Sequence, residues 1–291
     1  MDHPAIRQNR VAVITGAAVG IGYAIASRLS QLGMKVVLFD KDEAALDVAV
    51  RSLYNKDHSA QIATVTGDVT SPSALQELLT VAHELGEVSL VVNNAAISKG
   101  AGPWNDQDQW RKTMEINFWA VLAVQQLFVD HLLAQDYPAA IVNVGSKEGI
   151  TTPPGNTAYS VSKIAVKVLT EHLEHELRER THGRVSAHLL IPGYTFTPMN
   201  FPGMAADSAK PSAPWSADEV VARLLEGLIR SDFYIFCEDN EVSHELDQRR
   251  MQWNADDLIH NRPALSRWHP EYRDQFNAYI SDVAPPRQVQ A

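Results

Sequence analysis

Along the chain, short runs of apolar residues alternate with longer stretches in which apolar residues recur every three or four positions. The runs fall at 11–14, 35–39, 62–66, 89–92, 139–144, 184–191 and 233–237. Their continuity, as in Val11-Ala12-Val13-Ile14, predicts strands of a parallel sheet covered on both faces. The intervening periodicity predicts helices near 21–32, 43–54, 72–85, 107–135, 157–181 and 218–230. Gly33 is placed to close the first of these. Ser216, three residues before Glu219, forms a capping box that opens the last. Strand and helix alternating in this way predict an α/β, doubly wound parallel sheet.

Two regions break the rhythm. Residues 194–215 are rich in Pro, Gly and Met without a clear period and are expected to form a mobile loop. Residues 241–280 are polar and carry Trp253 and Trp268, with helical stretches near 241–260 and 270–280. Pro285-Pro286 begins what reads as a frayed tail. The expected organisation is therefore one sheet-centred unit over 1–240, followed by a helical extension and tail over 241–291.

Composition narrows the class. With 291 residues, 45% hydrophobic and 21% charged, the chain is long and apolar enough for a full core, which excludes disorder. Lys and Arg number 25 against 35 Asp and Glu, a net charge of −10, so a sequence-independent grip on phosphate backbones is not expected. Cys237 is the only cysteine, which excludes an intramolecular disulfide and a cysteine-rich zinc cluster. Lying in an apolar run, it reads as an inert buried thiol. The first ten residues lack a secretory pattern, and no apolar run approaches 18 or so residues. A cytoplasmic protein with neither membrane nor nucleic acid as partner is expected. His172 and His175 suggest metal ligands at first sight, but without a third ligand they read as a solvated helix face, and no metal is expected.

Candidate chemistry begins at Thr15-Gly16-Ala17-Ala18-Val19-Gly20-Ile21-Gly22, between the first strand and the first helix. Glycines there allow a tight turn and let backbone N–H groups approach a pyrophosphate at the helix N-terminus. The spacing is G-x-x-x-G-x-G rather than the general G-x-G-x-x-G. Asp40 closes the second strand, where a carboxylate can accept from adenosine ribose hydroxyls and repel a 2′-phosphate. No Arg or Lys lies within the glycine turn, so NAD is expected over NADP, with Lys41 the one residue able to soften the preference.

Tyr159 and Lys163 stand four apart at the start of a predicted helix and share a face. A nearby ammonium favours phenolate, so the pair is expected to lower the tyrosine pKa from about 10 and make it a usable proton donor or acceptor. Ser146, just after a strand, is placed to polarise the same substrate oxygen.

Taken in order, Thr15 to Gly22, Asn93-Asn94-Ala95-Ala96, Asn117, Ser146, Tyr159-Ser160-Val161-Ser162-Lys163 and Pro192-Gly193 resemble the short-chain dehydrogenase/reductase family in its compact form. The likeness spans about residues 10–200. It implies a Rossmann-type sheet of seven parallel strands with helices on both faces, and a nicotinamide coenzyme across the strand ends. It also implies a catalytic tetrad of Asn117, Ser146, Tyr159 and Lys163, with Asn117 holding a water that links Lys163 to solvent. Cofactor contacts implied by the likeness are Gly16, Gly20, Ile21, Gly22, Asp40, Asp68, Val69, Asn94, Tyr159, Lys163, Pro192, Gly193, Thr195 and Thr197. Ala96 replaces the family's usual glycine, at little cost if its φ is negative. The family's habit implies a homo-oligomer, a tetramer or dimer, built through the helices that carry Asn117 and Tyr159.

The function expected is hydride transfer between nicotinamide C4 and a small secondary alcohol or ketone, with Tyr159 as general acid/base. An NAD-binding sensor without turnover is the alternative of another class, disfavoured because binding alone needs no proton donor. An NAD-dependent epimerase or dehydratase would use the same residues but usually carries a larger C-terminal domain. The substrate pocket is expected between the 99–104 and 194–215 loops. Trp104, Trp215, Lys147 and Glu148 are its neighbours in sequence.

Overall fold

The computed structural model describes residues 3–204 and 208–283. In chain order the first half runs β1 Val11–Thr15, α1 Gly20–Gln31, β2 Lys35–Asp40, α2 Glu43–Lys56, β3 Ile62–Thr66, α3 Pro72–Leu85 and β4 Val88–Asn93. A long helix follows, made of α4 Gln107–Met114, a π-helical turn Glu115–Trp119, and α5 Ala120–Ala134. Then come β5 Ala139–Val144, the single turn α6 Glu148–Thr151, α7 Thr157–Thr181, β6 Val185–Ile191, β7 Thr195–Phe196, β8 Trp215–Ser216, α8 Ala217–Arg230 and β9 Tyr234–Phe236. Beyond residue 240 lie α9 His244–Ile259, a short 3₁₀ turn Ser266–Trp268, and α10 Arg273–Tyr279.

Seven strands form one parallel sheet in the order β3-β2-β1-β4-β5-β6-β9, the expected Rossmann-type architecture. Strand alternation sends side chains to two cores. Ile14, Leu38, Val92 and Val142 pack with α1, α2 and α8 on one face, while Val13, Val37, Val91 and Ile141 pack with α3, α5 and α7 on the other. Chain order reverses between β1 and β4, and the crevice above that point is where such sheets bind ligands.

Helix ends follow their sequence signals. Asp42 caps α2, Ser71 caps α3 with Pro72 in the first turn, and Ser216 with Glu219 completes the capping box of α8. A cap of this kind contributes about 1 kcal/mol. Gly33 takes φ +82° just past α1, a backbone that glycine adopts without steric cost.

Three local expectations change. The helix predicted over 107–135 is interrupted by the π turn, which re-aims Asn117 toward α7. By length and composition alone this helix, Gln107–Ala134, would span a membrane, but Val121, Val124, Phe128 and Leu132 are buried in the protein core. The 194–215 segment is not wholly irregular, since β7 and β8 pair in parallel at its two ends. Residues 205–207 of that loop and the Pro285-Pro286 tail lie outside the described residues. Trp215 is the third change. It packs onto the α1–α8 core beneath the Arg223 guanidinium, not into the cleft.

Candidate active site

The glycine turn is held open from below. Gly16 and Gly20 adopt φ +63° and +60°, and a Cβ on Gly16 would meet Ala95 Cα at 2.8 Å. A Cβ on Gly22 would collide with the Gly16 carbonyl oxygen, which is why glycine is needed there too. Asn94 Nδ2 donates to the Thr15 and Gly16 carbonyls at 3.0 and 2.9 Å. Thr15 Oγ1 accepts from the Asn94 and Ala95 N–H groups. The Ala96 backbone needs no positive φ, so its departure from glycine is accommodated.

Above this turn lies a cleft of about 590 Å³. Of the predicted cofactor residues, Gly16, Gly20, Ile21, Asp40, Asp68, Val69, Asn94 and Thr197 line it. Gly22 lies beneath, against Gly16. Asp40 accepts from the Ala18 N–H through Oδ2 at 3.1 Å, and from Asp42 N–H through Oδ1. That arrangement holds the carboxylate at the cleft wall next to Lys41. Asp68 is held by Thr70, whose N–H and Oγ1 both donate to Oδ1. These hydrogen bonds keep its carboxyl below the usual range. Open glycine backbone, a helix N-terminus and a strand-end carboxylate fit a dinucleotide.

The second group lies at the ends of β5 and β6. Burial pushes the Tyr159 phenol up to about 12, and the nearby Ser146 hydroxyl only partly offsets the rise. The Glu148 charge adds to the rise. Lys163 is fully buried and its pKa falls to about 8, because its ammonium is cut off from water. Its Nζ donates to the Val144 carbonyl at 2.8 Å and lies 5.8 Å from the Tyr159 ring centroid. The expected lowering of the tyrosine pKa is therefore corrected. In this pocket desolvation of the phenol outweighs what favours its ionised form.

Asn117, carried by the π turn, is wholly buried. Its Nδ2 donates to Ile97 O and Ser162 Oγ, and its Oδ1 accepts from Ile97 N–H. Both amide donors are thus used within the protein, leaving one lone pair of Oδ1 for any water. The bonds tie the 94–97 segment to α7 at Ser162, three residues beyond Tyr159. Pro192, Gly193 and Thr195 follow β6 beside the Ser146 turn, with the Lys147 N–H donating to Pro192 O at 3.2 Å. They do not line the cleft that holds the glycine turn.

Two pocket candidates move. Trp104 is 89% exposed and Lys147 is turned into buried ion pairs with Asp239 and Asp247. Sequence reading missed these two carboxylates, since only an acidic residue in a polar helix marks Asp247. Glu148 is half-buried, and loss of water raises its carboxyl pKa. Cys237 is buried just past β9, and its thiol is raised to about 12. His175 meets Arg178 on an exposed helix face.

Residues 10–206 match the family model described as short chain dehydrogenase. A 1-deoxy-11-beta-hydroxypentalenate dehydrogenase of Streptomyces avermitilis is 34% identical over 250 residues, covering 84% of this chain and 91% of that protein. A cis-4-hydroxycyclohexanecarboxylate dehydrogenase of Sinomonas cyclohexanicum is 35% identical over 201 residues, 68% of this chain and 78% of that one. Among solved structures, a short chain dehydrogenase/reductase from Burkholderia phymatum in complex with NAD superposes with TM-score 0.77 at 30% identity. That superposition covers 88% of this chain and 96% of the other. With the seven-stranded sheet, the glycine cradle and the Ser146–Tyr159–Lys163 group in one molecule, this chain belongs to the short-chain dehydrogenase/reductase family of nicotinamide-dependent oxidoreductases.

Proposed function

We propose that this oxidoreductase is an NAD-dependent dehydrogenase acting on a secondary alcohol, or in reverse on a ketone. The observation that carries the reading is the convergence of Ser146, Tyr159 and Lys163 at the carboxyl ends of the central strands. Bound at the cleft, the nicotinamide would accept or supply the hydride at C4. Tyr159 takes the proton from the substrate hydroxyl or returns it to the carbonyl oxygen. Ser146 hydrogen-bonds that same oxygen as charge develops on it. Lys163 holds positive charge near the phenol and would hold the nicotinamide ribose, while Asn117 fixes the 94–97 segment. Gly16, Gly20, Ile21, Gly22 and Asn94 would receive the pyrophosphate side. Asp68 and Val69 would receive the adenine, and Pro192, Gly193, Thr195 and Thr197 the carboxamide side.

Asp40 supports NAD over NADP, since a carboxylate at the ribose repels a 2′-phosphate. A coenzyme sensor without turnover is disfavoured because binding alone needs no proton donor, and Tyr159 beside Ser146 supplies one. Both dehydrogenase relatives named above act, by their names, on hydroxy acids, which makes cyclic hydroxy acids the first compounds to assay. A homo-oligomer is supported by exposed apolar residues on the two helices concerned, Trp119 on one and Val161, Ile164 and Val168 on the other. The functional test is a panel of cyclic and open secondary alcohols with NAD and with NADP, followed by the near-ultraviolet absorbance of reduced nicotinamide. Alcohol-dependent reduction of NAD is expected. Reduction of NADP alone would overturn the coenzyme assignment.

A further inference from the structure

Lys147 follows Ser146 directly, and its Nζ lies 2.5 Å from Asp247 Oδ2 and 3.5 Å from Asp239 Oδ2. The Asp247 side chain is 2% exposed and that of Lys147 13%. Asp239 lies just past β9, whereas Asp247 belongs to α9, one hundred residues from Lys147. Arg250, one turn along α9, approaches the other Asp247 oxygen at 3.7 Å. Burial raises the Asp247 carboxyl, and the two cations oppose the rise.

The main chain of Lys147 is equally committed. Its N–H donates to Pro192 O, and its carbonyl accepts from the Ile150 and Thr151 N–H groups. A Cβ on Gly193 would sit 3.0 Å from Lys147 Nζ and 3.1 Å from Asp239 Oδ2, so the ammonium lies against that glycine. A second tie runs from Asn254 Nδ2 to Ile150 O at 3.3 Å. Asp247, Arg250 and Asn254 follow the i, i+3, i+7 spacing of one helix face, so α9 meets the turn with a polar face. An adjoining strip of α9 is secured within the extension itself. Trp253 Nε1 donates to Ser266 Oγ, which donates to Asp257, and Trp253 packs on Phe276.

From this geometry we infer that α9 is a brace of the active site, with Asp247 a positioning residue that acts through Lys147 to fix the Ser146 turn. The inference rests on the role assigned above to Ser146. A buried ammonium is at low energy only where its carboxylates meet it. Any slide of the 145–151 turn would separate charges in a water-poor interior. Ser146 must hold its hydroxyl to within a fraction of an ångström of the reacting oxygen, and its own Oγ already accepts from the Glu148 N–H of that turn. The region beyond residue 240 is on this view a working part of the catalytic unit.

The test is Asp247→Asn, which keeps shape and removes the charge. Turnover is expected to fall about tenfold, with substrate KM and coenzyme Kd within about twofold, because the loss is one of placement. Placed on Ser146→Ala, the same change is expected to cost less than about twofold, since the bond it positions is already gone. Multiplicative losses in that cycle, or equal erosion of every constant, would overturn the brace. Hydrogen exchange supplies a readout that needs no substrate. Amides of 145–151 are expected to exchange faster in Asp247→Asn while those of β1 and β4 stay unchanged. Should Asp247→Asn fail to fold, Lys147→Met with Asp247→Leu removes both charges together and is read by the same exchange. Unchanged exchange at 145–151 in either variant overturns the brace. Absence of any alcohol oxidation by the wild type would instead sink the functional reading, and the exchange experiment would still decide the brace.

Discussion

The turn after β1 and the turn after β5 stand at the carboxyl end of the same parallel sheet, flanking β4, but are built from different forces. The glycine turn is held from below by neutral, directional hydrogen bonds between Thr15, Asn94 and backbone groups, with the Asp40 carboxylate accepting from the Ala18 N–H at its rim. The Ser146 turn is held by charge, with Lys147 between Asp239 and Asp247, and the uncompensated Lys163 lies close by. Neutral bonds can shape a cradle without changing the local field. Buried charges set a field as well as a position, and the same dry setting lifts Tyr159 to about 12 and lowers Lys163 to about 8. On the proposed function, coenzyme cradling falls to one turn and proton handling to the other, so the two should fail separately.

Lys163→Met should break the second side most severely. Turnover is expected to fall about 10²–10⁴-fold, the range for losing proton-transfer assistance, measured by coenzyme reduction at saturating substrate. Gly16→Val should break the first side. Positive φ and the 2.8 Å approach to Ala95 leave no room for a side chain. A roughly hundredfold weaker coenzyme Kd by fluorescence titration is expected, about 3 kcal/mol of lost binding. Asp40→Ala should be milder, narrowing the NAD-to-NADP ratio of kcat/KM by about tenfold, the worth of roughly 1.4 kcal/mol.

The smallest effect is thermodynamic and of opposite sign. Lys163 titrates at about 8 when folded against an ordinary 10.5, so the unfolded chain binds more protons between those values. Stability should therefore rise with pH from about 8 to 10, by at most about 3 kcal/mol. Above pH 10 the raised Tyr159 works the other way, because the unfolded phenol loses its proton first. Lys163→Met should abolish the rise between 8 and 10 and increase Tm at neutral pH by about 2–4 °C. Thermal melts across that window check both. A lower Tm in the variant would show that the lysine is stabilising.

The two turns also differ in how far they can be read from residues alone. Gly16, Gly20, Gly22 and Asp40 act through local backbone geometry, and their order along the chain carries the signal. Tyr159 and Lys163 were visible as a pair, but the direction of the tyrosine shift was not. Spacing places the two charges, while burial, which decides the sign, arises only when α7 packs on the sheet. The π turn at Asn117 has no periodic mark in the apolar pattern of 107–135. Lys147 and Asp247 are ordinary charged residues until the fold brings them together across one hundred positions. Trp215 shows the same limit, since a tryptophan at a loop end suits a core as well as a pocket.

The separation of cradle from proton relay is tested most directly by Tyr159→Phe, measured for coenzyme affinity and turnover on the same preparation. The phenol is buried beside Ser146 and Lys163, and only its hydroxyl is removed. The expected result is a coenzyme Kd within about twofold of the wild type, with turnover reduced about 10³-fold or more. Turnover retained at near wild-type rate would contradict the assignment of Tyr159 as the proton donor and acceptor.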